Sequence, residues 1–149
     1  MGLFTENEQE LISKAISDAE KATSGEIRIA LEKHCSGDAL EKAASMFIKL
    51  GMDKTTRHNG VLIYIAVEDH KFAIIGDKGI DKVVPADFWE MTKSAMRSCF
   101  IKGDLIGGIL TGISLAGEQL SAYFPSEKDD VNELSNDIIF MDKPKDSGA

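Results

Sequence analysis

The chain has 149 residues, enough for one domain with a buried core, and its 25 acidic and 17 basic side chains give a net charge of −8. This balance disfavours nucleic acids and anionic membranes as partners, because both are bound through Lys and Arg. Residues 105–117 form the longest apolar run, which is shorter than the ~20 residues of a membrane span, and no secretory signal opens the sequence. We therefore expect a soluble, cytoplasmic protein without a membrane span, whose Cys35 and Cys99 are free thiols.

The N-terminal part of the chain predicts a helix followed by a strand. Thr5 and Glu8 form a T-x-x-E capping box, which is typical of a helix start. Apolar residues then recur at helical spacing and stop before Ser24-Gly25: Leu11, Ile12, Ala15, Ile16 and Ala19. The next segment, EIRIALEK, alternates from residue 26 onwards, and this alternation predicts a strand with one face well buried.

A second helix and a second strand follow. Asp38 and Glu41 make another capping pair, and Gly51 ends the helix that they begin. Its predicted apolar stripe consists of Leu40, Ala44, Phe47 and Ile48. Residues 61–67, VLIYIAV, are apolar throughout, as in a strand that is covered on both faces. Strand, helix and strand in this order predict a right-handed βαβ unit with parallel strands.

The segment after the second strand predicts a β-hairpin. The four residues EDHK separate this strand from FAIIG, so the third strand returns antiparallel. With EDHK as the turn, Val67 lies opposite Phe72, and the pairing places Gly60 roughly opposite Gly79.

The remaining sequence predicts two helices and an added strand. Pro85 introduces the first helix, and a Gly-rich apolar helix follows Gly103-Asp104 and ends near Pro125. Residues 137–141, DIIFM, follow an acidic linker and are short and apolar, as in an edge strand. We therefore predict one α/β domain over residues 1–125, with a mixed sheet of about four strands between helical layers. Residues 126–149 form an acidic extension that adds the edge strand.

Two acidic loops adjoin at one end of this predicted sheet. The hairpin pairing brings GMDKTTRHNG, before the second strand, next to GDKGID, after the third, and the first strand starts at the same end. Four carboxylates gather there as predicted metal ligands: Asp77, Asp81, Asp53 and Glu26. Thr55, Thr56 and Asn59 add neutral oxygens. Hard oxygen ligands of this kind suit Ca²⁺ or Mg²⁺, and we expect the ion to clamp the two loops together.

Simpler explanations of these residues remain open. Lys54, Lys78, Lys82 and Arg57 supply counter-charge, so the two loops are also explained as solvated acidic turns. His34, His58 and His70 lie in separate loops without zinc spacing. Cys35 follows His34 directly, but adjacent residues at a strand end point to opposite sides, which disfavours a thiolate nucleophile.

The segment RHNGVLIYIAVEDHKFAIIGDKGIDKVVPADFW, followed by the Gly-rich helix and YFP, resembles the TPM domain family (TPM_phosphatase). The similarity covers about residues 24–125 and extends to SGEIRI at 24–29 and LGM-x-K-T at 50–55. The resemblance implies an α/β/α sandwich around a sheet of about four strands. Many members have a signal peptide and a transmembrane helix beside the domain, so this sequence resembles the stand-alone branch.

The same resemblance implies divalent-metal binding and, as an alternative, a weak phosphatase or nucleotide-hydrolysing activity. The family's G-x-G-L-E loop corresponds here to Gly79-Ile80-Asp81 preceded by an additional acid, Asp77, and this departure favours metal binding. A third hypothesis makes the domain an interaction module whose unidentified protein partner binds according to the cation level.

Overall fold

The computed structural model describes residues 4–55, 58–126 and 138–142. It contains five α-helices: α1 (Glu6–Glu20), α2 (Ala39–Lys49), α3 (Lys78–Asp81), α4 (Glu90–Ile101) and α5 (Leu105–Tyr123). The strands are β1 (Glu26–Glu32), β2 (Gly60–Ala66), β3 (Lys71–Gly76) and β4 (Ile139–Phe140). A short 3-10 helix, Met52–Lys54, lies between α2 and β2.

The four strands form one mixed sheet in the order β3-β2-β1-β4. β1 pairs in parallel with β2 on one side and with β4 on the other, and β2 pairs with β3 antiparallel. β4 is only two residues long and is held by the pairs Ala30–Ile139 and Leu31–Phe140. The predicted α/β class with a four-stranded mixed sheet is confirmed.

The alternation of side chains along β1 and β2 builds a core on each face of the sheet. One core lies between the sheet and helices α1, α3, α4 and α5, and it takes Ile27, Ile29 and Leu31 from β1. The other lies under α2 and takes Ala30 from β1 together with Leu62 and Tyr64 from β2. Because both faces of β2 are covered, its seven residues are all buried, as its apolar sequence predicts.

The helix ends agree with the capping signals in the sequence. Thr5 and Glu8 form the reciprocal capping box of α1, and the Asp38 carboxylate accepts the Glu41 N–H over 3.3 Å at the start of α2. The face that α2 buries differs from the prediction. Ala43 and Phe47 are buried, whereas Leu40 and Ile48 are 54% and 60% exposed.

The glycines of α5 allow neighbouring helices to approach closely. A Cβ placed on Gly117 would lie 2.7 Å from the Cβ of Ala19 in α1, and one on Gly112 would lie 2.6 Å from Sδ of Met96 in α4. Both distances are shorter than packed carbon and sulfur atoms adopt; the Met96 side chain can move aside, whereas Ala19 meets the new atom with its Cβ and backbone, so Gly117 is the stricter requirement. None of the described helices is both long and apolar enough to cross a bilayer.

The hairpin differs from its predicted register by two residues. Ala66 pairs with Lys71 and Ile65 with Phe72, so the turn is Val67–His70 rather than Glu68–Lys71. Val67 leaves the hairpin because its N–H donates to the Glu32 carbonyl of β1 over 2.8 Å. The predicted pairs Val67–Phe72 and Gly60–Gly79 are therefore wrong. As a consequence, Asp77 rather than Gly79 lies against Gly60.

Candidate functional site

One end of the sheet brings together the starts of β1 and β2 and the end of β3. Glu26 pairs with Gly60 in the β1–β2 ladder, and its N–H donates to the Asn59 carbonyl over 3.3 Å. The Asp77 N–H donates to the Gly60 carbonyl over 2.9 Å. Glu26 and Asp77, two of the four predicted ligands, thus flank the same residue.

Asp77 is held firmly by its position between β3 and α3. Its side chain caps α3, since Oδ1 accepts the Lys78 N–H over 2.7 Å. Its carbonyl accepts the N–H groups of Ile80 and Asp81 over 2.9 and 3.1 Å. The residue is only 7% exposed. These bonds leave the second carboxylate oxygen, Oδ2, pointing away from the helix cap in a buried position.

Four buried polar atoms belong to the two loops at this end of the sheet: Asp53 Oδ1, Thr55 Oγ1, His58 Nδ1 and Asp77 Oδ2. Within residues 4–55, 58–126 and 138–142, none of the four has a hydrogen-bond partner. Buried polar atoms in folded proteins normally have partners, and each one left without a partner costs about 1–3 kcal/mol. Two of the four, His58 Nδ1 and Asp77 Oδ2, lie 3.4 Å from each other, and all four belong to the two adjoining loops.

The two remaining predicted ligands differ from each other in burial. Asp53 is half-buried in the 3-10 helix Met52–Lys54, and its Oδ1 is one of the four atoms without a partner. Asp81 is the last residue of α3 and is exposed. Partial desolvation and the charge of Asp77 nevertheless raise the pKa of the Asp81 carboxyl. The negative charge of Asp77 thus acts on Asp81 across one helical turn.

His58 contributes to this end of the sheet in a way that was not predicted. Its Nδ1 lies 3.4 Å from Oδ2 of Asp77, and its backbone has a φ of 52°, in the left-handed region. Non-glycine residues rarely adopt this conformation, and they do so more often at functional sites. The sequence places His58 in the loop before β2. The spacing of His58 from the acidic residues predicts neither its left-handed backbone nor its contact with Asp77.

The carboxylates do not by themselves form a complete metal cage. In the part of the chain that the structure describes, no three His, Cys, Asp or Glu side chains are close enough together to hold an ion. A cation at this end must therefore use hydroxyl, carbonyl or water oxygens beside the carboxylates. Thr55, which is 4% exposed, offers such a hydroxyl.

The opposite end of the sheet carries a different group of charged residues. His34 contacts Asp69 through Nδ1 over 3.0 Å and Glu68 through Nε2 over 3.4 Å. The Asp69 carboxylate also accepts the Cys35 N–H over 2.7 Å. These bonds lower the pKa of Asp69 and raise that of His34. The group ties the loop after β1 to the hairpin turn and satisfies its own charges.

Comparison with known proteins identifies the family. The model of the TPM domain matches residues 1–119. The chain is also similar to BA42 from the psychrophilic bacterium Bizionia argentinensis, with 48% identity over 93% of this chain and 96% of that one and a TM-score of 0.88. No curated protein sequence matches the chain significantly.

A more distant structure shares the fold alone. The N-terminal domain of cg2496 from Corynebacterium glutamicum is 16% identical, covers 85% of this chain and 80% of its own, and superposes with a TM-score of 0.65. The chain belongs to the TPM domain family.

Proposed function

We propose that the protein binds a divalent cation, Ca²⁺ or Mg²⁺, between the loop that precedes β2 and the loop that follows β3. The observation that supports this proposal is the group of four buried polar atoms without hydrogen-bond partners among the described residues. Two of them, Asp53 Oδ1 and Asp77 Oδ2, are carboxylate oxygens, and Thr55 Oγ1 is a hydroxyl oxygen. A cation between the two loops would take oxygens from both of them.

The chemistry of these atoms favours a hard cation. Ca²⁺ takes six to eight oxygen ligands from carboxylates, hydroxyls, carbonyls and water, and it tolerates irregular geometry. Mg²⁺ requires a regular octahedron and keeps several waters. Because the oxygens come from two loops of different conformation, Ca²⁺, which tolerates irregular geometry, is the better match. Asp81 and Glu26 would act from further out by adding negative charge around the ion.

Binding of this kind would stabilise the fold. A ligand that binds only the folded state adds about 2.7 kcal/mol to the free energy of unfolding when its concentration is 100 times Kd. The site would also relieve the cost of burying the Asp77 carboxylate oxygen without a partner. We therefore propose that the cation acts as a clamp which fixes Asp53 and Thr55 against Asp77.

Hydrolysis is not part of this proposal. The Thr55 hydroxyl is buried at this end of the sheet and is chemically able to act as a nucleophile. Within the described residues it makes no hydrogen bond to a base such as His58. Lys54, Lys78 and Lys82 are the cationic side chains in the described parts of the two loops, and all three are exposed. Positioned cations and an activated nucleophile are what phosphoryl chemistry requires.

Titration calorimetry with Ca²⁺ and, separately, with Mg²⁺ tests the proposal. The wild-type protein should show saturable binding, and Asp53→Asn and Asp77→Asn should each weaken it by about tenfold or more, since each removes a charged ligand. Asn caps helices as well as Asp, so Asp77→Asn should retain α3. Asp87→Asn changes an exposed acid elsewhere and is the matched control. Equal affinity in all four proteins would contradict the proposed site.

A further inference from the structure

A cavity of about 170 Å³ lies at the end of the sheet opposite the proposed cation site, and we call it the hairpin cavity. Its walls come from β2, the hairpin turn, β3 and the junction of α4 with α5. The lining side chains are mainly apolar: Ile65, Val67, Phe72, Phe100 and Leu105, with His70 and Lys71 as the polar members. No residue of the cavity belongs to the proposed cation site.

The size of the hairpin cavity fits one aromatic ring. A cavity of about 150 Å³ lined by Leu, Ile and Phe is known in another protein to remain dry and to bind benzene. Phe72 and Phe100 form one wall as an edge-to-face pair, with ring centroids 5.3 Å apart at an interplanar angle of 80°. Such a pair presents both a ring face and a ring edge, so a third ring can pack against it favourably.

The charges beside the cavity favour an anionic group on the ligand. The Arg97 guanidinium lies 5.6 Å from the centre of the Phe72 ring, and no carboxylate among the described residues pairs with it. Lys71 donates to the carbonyls of Cys35 and Gly37 over 3.1 and 2.8 Å, and its charge also acts on Asp69, whose pKa it helps to lower.

The neighbouring acids, in contrast, are already engaged. Glu68 and Asp69 contact His34, and the Asp104 carboxylate accepts the Gly107 N–H over 2.9 Å as the cap of α5. Arg97 is therefore the cationic side chain that lies beside Phe72 without a carboxylate partner among the described residues.

His70 is one of the polar side chains that line the hairpin cavity. It occupies the last position of the hairpin turn with a φ of 56°. Glycine and asparagine adopt this left-handed conformation most easily, so a turn selected for stability alone would use one of them. The histidine instead places an imidazole in the lining of the cavity.

We propose that the hairpin cavity binds a small aromatic carboxylate, whose ring lies against Phe72 and Phe100 and whose carboxylate is attracted by Arg97. His70 lines the same cavity and offers a ring nitrogen for hydrogen bonding. This site is independent of the proposed cation site, because the two lie at opposite ends of the β2–β3 hairpin.

Three probes of similar size test the proposal: phenylacetate, benzyl alcohol and phenethylamine. In amide NMR titrations of the wild-type protein, phenylacetate should shift the amides of residues 65–72 and 100–105. Its Kd should be about two- to fivefold lower than that of benzyl alcohol, with phenethylamine weakest, as expected for an exposed cationic side chain. Absence of shifts at these amides at millimolar phenylacetate would overturn the site. Equal affinity for the three probes would overturn the role given to Arg97.

Two variants and one direct measurement complete the test. Arg97→Gln should raise the Kd for phenylacetate about two- to fivefold and leave that for benzyl alcohol unchanged. Lys49→Gln, at the end of α2 on the other face of the sheet, is the control and should change neither. In the wild-type protein, intermolecular nuclear Overhauser effects should connect the ring protons to the Ile65 and Leu105 methyl groups. Effects to methyl groups elsewhere would contradict the proposal.

Discussion

Oδ2 of Asp77 lies 3.4 Å from Nδ1 of His58, and neither buried atom makes a hydrogen bond of normal geometry to a described residue. A carboxylate oxygen with so poorly aligned a partner retains most of its desolvation cost. The imidazole and a metal ion would compete for this oxygen. In the proposed site, His58 would therefore lower the affinity for the cation without being one of its ligands.

Replacement of His58 by Asn tests this relationship. Asn tolerates the left-handed backbone, so the fold should be retained, and removal of the competing imidazole should tighten Ca²⁺ binding about two- to fivefold. Titration calorimetry measures the change. His70→Asn alters a histidine with a similar φ at the other end of the hairpin and should leave the affinity unchanged. Weaker binding by His58→Asn alone would show instead that the imidazole coordinates the ion.

Glu20 makes the stability of the protein depend on pH. Burial raises the pKa of this carboxyl from 4.5 to about 7, and the charge of Glu26 adds to the rise. The Ile27 N–H donates to the carboxylate over 2.7 Å and opposes the rise. The folded state therefore holds the proton more tightly than the unfolded state between pH 4.5 and about 7. The stabilisation is complete below pH 4.5 and is lost as the pH rises through about 7.

Glu20→Gln should remove this pH dependence. We expect the variant to gain on the order of 1–3 kcal/mol over the wild type at pH 8 and to differ little from it at pH 4.5. Urea unfolding in the presence of a chelator measures both values. Glu10→Gln changes an exposed acid of the same helix and is the control. A constant difference between wild type and variant across this pH range would contradict the assignment.

The C-terminal strand stabilises the edge of β1. Two hydrogen bonds add to the two ladder pairs of β4. The Met141 N–H donates to the Leu31 carbonyl over 2.8 Å, and the Asp142 carboxylate accepts the Lys33 N–H over 2.6 Å. Truncation after Pro125 should cost about 2–4 kcal/mol, because it exposes apolar surface and an unpaired edge. Thermal unfolding and sedimentation measure the loss and any self-association. An unchanged melting temperature in a monomeric truncated protein would refute this role.

Gly117 is required by the contact between α5 and α1. Gly117→Ala should destabilise the protein by about 1–3 kcal/mol despite the better helix propensity of Ala, since the new Cβ would meet the Cβ and Cα of Ala19. Ser114→Ala, at an exposed position of the same helix, should change the stability little. Chemical denaturation compares the two. A stabilised Gly117→Ala variant would show that the helices are free to separate.

The strands could be predicted from the sequence because their patterns are unambiguous. The apolar run at 61–67 has the composition of a doubly covered strand, and the alternation from Glu26 onwards matches the residues that β1 sends to its two faces. The hairpin register could not be obtained in this way. Val67 has the sequence character of a strand residue. Its hydrogen bond to the Glu32 carbonyl forms only when β1 packs beside β2 in the folded protein.

The candidate site could be located from the sequence but not described in detail. Parallel and antiparallel pairing placed Asp77 and Glu26 at one end of the sheet, since pairing follows from element order. Which carboxylate oxygens are buried and lack partners depends on side-chain packing, as does the left-handed backbone of His58. The exposed faces of α2 make the same point, because Leu40 and Ile48 belong to a plausible stripe and yet face solvent.

Amide NMR during a Ca²⁺ titration tests the central claim most directly. The proposed clamp predicts saturable shifts concentrated in residues 52–55, 58–60 and 76–82, the segments that carry Asp53, Thr55, His58 and Asp77. Amides of residues 68–70 and 104, at the other end of the sheet, should shift little. Shifts that spread thinly over the surface, or that fall mainly around 68–70 and 104, would contradict the proposed site.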